Sequence, residues 1–412
     1  MKVLIVTDNH YPYEGTCSNI IDTLLGDGQI WRDNNIDVDV LAIKKSYFED
    51  DEETYNRIHI FRVFSWTLID RKAAIRDIAK TKWRIPRVLI ERGLLHYKNR
   101  LFKGSYLNRL SYLAFIRKLN HIHAERYDVI ISISGNYEHS IAARDFVKKR
   151  NQRFVLYQVD PLGSNQIYDI QSQKRRKADE LSMYKQASVI ITTPIIIKEH
   201  GREKDYSRLK GKMIGMEFPV VKPRAEPAKK EKTKKICMFA GSIYGGVRNP
   251  DYTYKLFEHI IGDDIEFHMV GVSNEQLPPK YRCAGIICHG RKNIDECNKL
   301  MKDADILVNI GNKVLNQVPS KIFDYISMGK PIVNICKSRK CPSLDYLAIY
   351  PEALNLFEEE EIFEEQVELL RKFIKAYHPA ISSDKIGKMY EKCTPEYCRK
   401  ELIHSLGHLS VR

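Results

Sequence analysis

The sequence predicts an α/β protein: two doubly wound parallel-sheet domains facing each other across a cleft. Three observations carry this. Short aliphatic runs with β-branched residues at both parities recur along the chain, separated by helix-length segments, the pattern of strands buried on both faces. The series stops at a stretch rich in proline and basic residues and then restarts. The chain has 412 residues, 43% of them apolar, enough for two or three cores.

The first series opens with Lys2-Thr7, whose loop Asp8-Gly15 leads into a helical pattern from Ser18 with Ile20, Ile21, Leu24 and Leu25. Strands are expected at Val38-Ile43, Ile58-Val63, Tyr127-Ser134, Arg153-Asp160 and Val189-Thr193. Pro219-Lys235 has three prolines and seven basic residues with little to bury, which reads as a linker. The second series has five expected strands: Lys235-Gly241, Ile265-Gly271, Gly285-Gly290, Ala304-Gly311 and Pro331-Cys336. Helices are expected at Pro250-Ile261, Asp295-Asp303, Gln366-Tyr377 and from 384 to 405. The expected domains are therefore 1-218, a linker at 219-235, 236-383, and a helical segment at 384-412 that packs back on the first domain.

Composition sets the compartment. No run of 18 uncharged apolar residues occurs, and Met1-Lys2 leads into an aliphatic stretch too short for a signal segment. A cytoplasmic protein is expected. Nine cysteines, an odd count, fit reduced thiols. Cys283 and Cys288, Cys336 and Cys341, and Cys393 and Cys398 share one spacing, but none has the CxxC form of a zinc knuckle, so buried reduced thiols are expected. The formal net charge is +14, and between Arg71 and Arg126 fifteen Lys or Arg face three acids. Such an excess calls for a polyanionic surface. Trp83, Tyr97, Phe102, Tyr106, Tyr112 and Phe115 are interleaved with these cations, as on amphipathic helices lying on an anionic bilayer. The bland alternative is a solvated helical insertion. No nucleic-acid signature accompanies the charge, so nucleic acid is not an expected partner.

Two blocks could carry chemistry. The second domain's first strand empties into a turn containing Gly241, Ser242, Gly245, Gly246, Arg248 and Asn249 before Pro250. Glycines permit close backbone approach, and amides at the following helix start would attract a phosphate beside Arg248. The other block runs from Asn316 to Pro331. Pro319 and Ser320 are helix-start signals, Lys321 adds a cation, Asp324 follows one turn later, and Gly329 ends the helix. Asp324 could accept hydrogen bonds from a ribose diol; the alternative is a capped helix with one solvated acid.

These blocks, PSKIFDYISMGKPIV and FAGSIYGG followed by RNP, resemble those of nucleotide-sugar glycosyltransferases of the GT-B fold, with two Rossmann-like domains, in the family-4 retaining group. The likeness is to enzymes of bacterial surface polysaccharide biosynthesis. It implies a nucleotide diphosphate-sugar held by the C-terminal domain, an acceptor held by the N-terminal one, and reaction between them. Asp324 matches the carboxylate for the ribose hydroxyls, Pro319, Ser320 and Lys321 the diphosphate block, and Arg248 the basic residue on the donor phosphates. Gly290 and Arg291 match the loop lining the base pocket, and Gly15 the first loop near the donor. The sequence departs from the family at Asn316, where a carboxylate is usual, and near Ile243, where a second basic residue is usual and Lys321 substitutes. It departs again at Thr16, which follows a single glycine, and at Gln158 or Asp160, where a histidine is usual.

The chemistry implied is displacement of a leaving group that gains negative charge. Arg248, Lys321 and a helix start can stabilise it without metal. The Asp-x-Asp at Asp37-Val38-Asp39 lies inside a strand with both acids on one solvated face, so no metal is expected there. Asp160 and His139 are the candidates to orient substrate, although a lone histidine in such a loop also reads as structural. The expected function is transfer of a sugar, with UDP as carrier, to a glycan or lipid-linked acceptor at the inner membrane face. No cofactor beyond the nucleotide-sugar substrate is expected. The alternatives are a nucleotide-sugar epimerase of the same fold and a non-catalytic glycan- or membrane-binding scaffold.

Overall fold

A computed structural model describes residues 1–12, 16–46, 49–65, 68, 107–134, 137–165, 170–224, 234–243, 248–262, 264–282, 285–314, 317–359 and 362–410. The chain divides into two compact units, Met1–Pro219 with Glu396–Arg412, and Val220–Pro395.

The first unit is built on strands β1 (Lys2–Val6), β2 (Asp37–Ile43), β3 (Glu52–Tyr55), β4 (Ile58–Val63), β5 (Val129–Ser134), β6 (Arg153–Gln158), β7 (Val189–Thr192) and β8 (Met213–Gly215). Their order is β3-β4-β2-β1-β5-β6-β7-β8, parallel except for β3 against β4. Val3 through Val6 are fully buried, as expected of a central parallel strand covered on both faces. The chain runs outward from β1 to β2 and β4, then returns to β5 beside β1. That reversal places a topological switch point at the ends of β1 and β5.

The second unit has β9 (Lys235–Ala240), β10 (Ile265–Val270), β11 (Ile286–Cys288), β12 (Ile306–Ile310), β13 (Ile332–Cys336) and β14 (Ala353–Phe357). All are parallel in the order β11-β10-β9-β12-β13-β14. Its switch point lies between β9 and β12. The expectation of two doubly wound parallel sheets is borne out, and every strand expected above is found within two residues at each end. Strands β3, β8 and β14 were not expected.

Two segments differ from the sequence reading. The helix expected over 384 to 405 is two helices, Ser383–Met389 and Pro395–Ser410, because a 3-10 turn at Glu391–Cys393 intervenes and Pro395 restarts the chain. Part of the expected linker is bound. Val221 is fully buried and its amide donates to the Cys393 carbonyl at 3.0 Å. The Lys222 amide donates to Ser327 Oγ at 3.0 Å and the Arg224 amide to the Ser327 carbonyl at 2.8 Å. One apolar side chain and three amides pin this strap to the second unit. Of the basic window, 69–106 lies outside the described residues. Its remainder includes the helix Arg109–His121, which leaves Arg109, Leu110, Leu113 and Arg117 exposed.

Candidate functional site

In the second unit the candidate residues Arg248, Lys321 and Asp324 gather near the β9/β12 switch point. β9 ends in Ala240, followed by Gly241 and Ser242; β12 ends in Ile310, followed by Gly311 and Asn312. Arg248 spans the two ends. Its Nη2 donates to Asn312 Oδ1 at 3.1 Å, its Nη1 donates to the Ser242 carbonyl at 3.4 Å, and its guanidinium lies 5.7 Å from the centre of the Phe239 ring. Asn312 in turn donates to the Gln317 carbonyl at 3.2 Å, so the loop leading to the next helix is tied to the same bridge.

That helix is Lys321–Ser327, shorter at its C-terminal end than the sequence reading, with Gly329 at φ 68° turning the chain toward β13. Pro319 is buried and Ser320 exposed, with no side-chain capping bond from Ser320. Lys321 Nζ lies 2.9 Å from Asp324 Oδ2, and Arg224 Nη2 lies 3.4 Å from Asp324 Oδ1. Asp324 therefore sits between two cations. Tyr325, fully buried, fixes the helix to β9. It accepts from the Ala240 amide at 2.9 Å and donates to the Ala240 carbonyl at 3.2 Å. Burial pushes the Tyr325 hydroxyl's pKa up, while nearby Arg248 pulls it down and Asp324 raises it, so both charges bear on this one ring. Across the helix, the Cys297 thiol is pushed up by burial and feels Lys321, Asp324 and Arg224.

The loops beside β9 are stitched together by backbone. Gly241 donates to the Val270 carbonyl at 2.9 Å, Gly271 to Gly290 at 2.8 Å, and Gly290 to Val272 at 2.9 Å. Gly271 has φ 92°, and a Cβ there would lie 2.4 Å from the Gly241 carbonyl oxygen. Only glycine allows that approach. Gly290 has φ 64° with open space around it, Arg291 is exposed, and half-buried Asn249 accepts from the Asp251 amide at 3.4 Å. Gly15, Gly245 and Asn316 lie outside the described residues.

The first unit holds Asp160 and His139 in different surroundings. Asp160 follows β6, and burial pushes its carboxyl up. The Cys17 thiol is also pushed up by burial, with Asp8 and Asp160 adding to the effect, so these groups share one neighbourhood. His139, in the helix Glu138–Arg150, is 1% exposed; its Nε2 lies 2.8 Å from the Ile133 carbonyl and 3.2 Å from Ser140 Oγ. It packs 5.8 Å from the Phe115 ring, inside the core under the sheet. Asp39 of the Asp-x-Asp accepts the Tyr127 hydroxyl at 2.5 Å.

Three residues escaped the sequence reading. Arg224 was hidden in the supposed linker. His10, 2% exposed in the loop after β1, has Nδ1 2.8 Å from Asp22 Oδ1, and its Nε2 has no hydrogen-bond partner among the described residues. A histidine at the end of the first strand, twelve residues before an acid in the next helix, was the available signal. The third is Glu180, fully buried in the helix Ile170–Gln186. It accepts the amides of Leu162 at 2.8 Å and Gly163 at 3.2 Å and the groups Gln158 Nε2 and Tyr206 hydroxyl, and so holds the loop that follows Asp160.

No family model and no curated protein matches this chain. Solved structures do match its fold along its whole length. Sucrose-phosphate synthase from Thermosynechococcus elongatus superposes with TM-score 0.67 at 11% identity, covering 100% of both chains. The lipopolysaccharide outer core galactosyltransferase WaaB, in its apo form, gives 0.59 at 12% identity over 99% of each chain. UDP-GlcNAc 2-epimerase from Methanocaldococcus jannaschii gives 0.53 at 9% identity, covering 99% of this chain and 100% of its own. These likenesses show the fold: two Rossmann-like parallel-sheet domains of the GT-B class.

Proposed function

We propose that the protein is a glycosyltransferase that passes a sugar from a nucleotide diphosphate-sugar, UDP being the carrier, to a glycan or lipid-linked acceptor in surface polysaccharide biosynthesis. Transfer proceeds with retention and without a metal ion, at the cytoplasmic membrane face. The observation that carries the reading is the gathering of Arg248, Lys321 and Asp324 around one switch point, where doubly wound sheets bind ligands. Two structures of the same fold bear the names of sugar-transferring enzymes, and the third acts on a UDP-sugar.

In this reading Arg248 takes the diphosphate, already aimed by Asn312, and Lys321 turns from Asp324 to the same anion. Asp324 is then free to accept the ribose hydroxyls. As the bond from the anomeric carbon to the phosphate oxygen breaks, the charge gained by the leaving group meets fixed cations that need no reorganisation. The acceptor hydroxyl attacks the same face and its proton passes to the departing phosphate oxygen. Asp160, in the first unit, orients the acceptor. The basic segment 71-126 holds the protein at an anionic surface where a lipid-linked acceptor resides.

The test is thermal stability of the full chain with UDP, GDP and UDP-sugars, since a ligand that binds the native state raises its stability. UDP is expected to raise Tm and Arg248→Ala to reduce the rise; no shift with any nucleotide sinks the reading. The epimerase alternative draws on the third fold likeness. An epimerase interconverts UDP-sugars with no acceptor present, whereas a transferase releases UDP and extends an acceptor. A scaffold does neither.

A further inference from the structure

Cys336 is the last residue of β13, and Cys341 lies in the turn before the helix Ser343–Leu347. Both thiols address one hydroxyl: Cys341 Sγ is 2.9 Å and Cys336 Sγ 3.9 Å from Ser343 Oγ. With Phe357 they form a small buried cluster, apart from the main core of the unit. Cys336 lines a cavity of about 240 Å³ at the ends of β12 and β13, with Asn249, Asn312, Lys337 and Glu358 in its wall. Gly311 is in that wall too. A Cβ there would sit 3.3 Å from Cys341 Sγ, so the second sulfur lies directly behind this glycine in the wall.

We infer that Cys336 and Cys341 are a dithiol modification site, which hydrogen peroxide converts to an intrachain disulfide. A small polar oxidant fits a polar-walled cavity of this volume. The electrostatics divide the roles. A hydrogen bond from the Cys336 thiol, with Ser343, pulls Cys341 below the ordinary thiol range, while Cys336 is held above it. By contrast, burial pushes Cys17 and Cys297 up. Cys341 is thus the thiolate and Cys336 the resolving thiol. The Cys341 sulfur attacks one peroxide oxygen, the O–O bond breaks, and hydroxide leaves and is protonated to water. The Cys336 sulfur, giving up its proton, attacks the resulting sulfenic acid. The S–S bond forms, the S–O bond breaks, and a second water leaves. Two thiols lose two electrons and two protons to one peroxide.

The test is peroxide treatment of the full chain, alkylation of remaining thiols, and tryptic mass mapping. Lys337, Arg339 and Lys340 lie between the two cysteines, so the disulfide appears as two peptides joined until a reductant is added. The linked pair is expected to form before Cys17 or Cys297 reacts, and to vanish in Cys336→Ser and in Cys341→Ser. In the wild type its rate is expected to rise with pH and to level off at a lower pH than for an ordinary thiol, as the Cys341 thiolate forms. Recovery of both cysteines as alkylated thiols while Cys17 or Cys297 is oxidised overturns the inference. So does oxidation of Cys336 and Cys341 without a link. Circular dichroism of each serine variant shows whether it is folded, and the wild-type pH profile decides the matter if neither is.

Discussion

Arg248 donates to Asn312 across the ends of β9 and β12 at 3.1 Å, and this bond joins the two halves of the second sheet where its strand order reverses. A guanidinium so placed is oriented before any ligand arrives. That preorganisation distinguishes it from Lys321, whose ammonium is held by a half-exposed carboxylate one helical turn away.

Arg248→Ala is expected to cost about 2 kcal/mol of UDP affinity, roughly 30-fold in Kd, because a charge-assisted contact to phosphate is lost. Arg248→Lys should recover part of it. Asn312→Ala keeps the charge and loses its aim, so a smaller loss is expected. Calorimetric titration of UDP into the three variants checks the order, and equal affinities in all of them remove Arg248 from the nucleotide.

For Asp324→Ala, which strips the shared anion from Lys321 and Arg224, loss of the UDP-induced rise in Tm is expected. The measurement is the same thermal series with inorganic pyrophosphate alongside. Pyrophosphate, which has no ribose, should stabilise variant and wild type alike. An unchanged response to UDP would take Asp324 out of the ribose contact.

Gly271→Ala tests the stitching of the loops. The added methyl meets the Gly241 carbonyl at φ 92°, where an L side chain is strained, so a cost of about 1–3 kcal/mol is expected in urea unfolding. UDP binding should weaken with it, because the loop that carries Ser242 must move.

Glu180→Ala leaves the amides of Leu162 and Gly163 without their acceptor in a closed interior. A destabilisation of about 3 kcal/mol is expected, with Glu180→Gln milder. Urea denaturation measures both.

His200, fully buried, stacks on Tyr206 with ring centres 3.9 Å apart, and burial holds its pKa below the ordinary imidazole value. The unfolded chain then binds the proton more readily than the folded one. Its contribution is whole above about 6.5, the unfolded value, and is lost as pH falls through the folded one. Unfolding free energy measured from pH 7.5 down to 5 should decline less steeply in His200→Phe than in the wild type.

Much of this architecture can be read in residues alone, for a physical reason. Runs such as Val3-Leu4-Ile5-Val6 and Ile130-Ile131 belong to strands covered on both sides, so their composition carries their position. The missed strands lack that signature. β3 begins with Glu52 and Glu53 at the first sheet's antiparallel edge, β8 at its other edge is three residues long, and β14 lies at an edge of the second sheet. Arg248, Lys321 and Asp324 were legible because turn chemistry and helix-start residues surround them. Arg224 was not, since proline and lysine composition reads the same whether a strap is bound or loose; only Val221 hinted at anchoring. The contact of His10 with Asp22 depends on how a helix lies against the end of β1, which no local pattern encodes.

The C-terminal helix Pro395–Ser410 contributes Cys398, Leu402 and Leu406, all but fully enclosed, and Cys398 donates to the Glu217 carbonyl at 3.2 Å. The compact unit that contains Met1 is therefore finished by residues that follow the whole second unit along the chain. Its sheet emerges early in synthesis but waits, with an apolar face unclosed, until the whole intervening unit has been made. A nascent chain halted near 219 is an aggregation-prone species, and one halted near 395 is still incomplete.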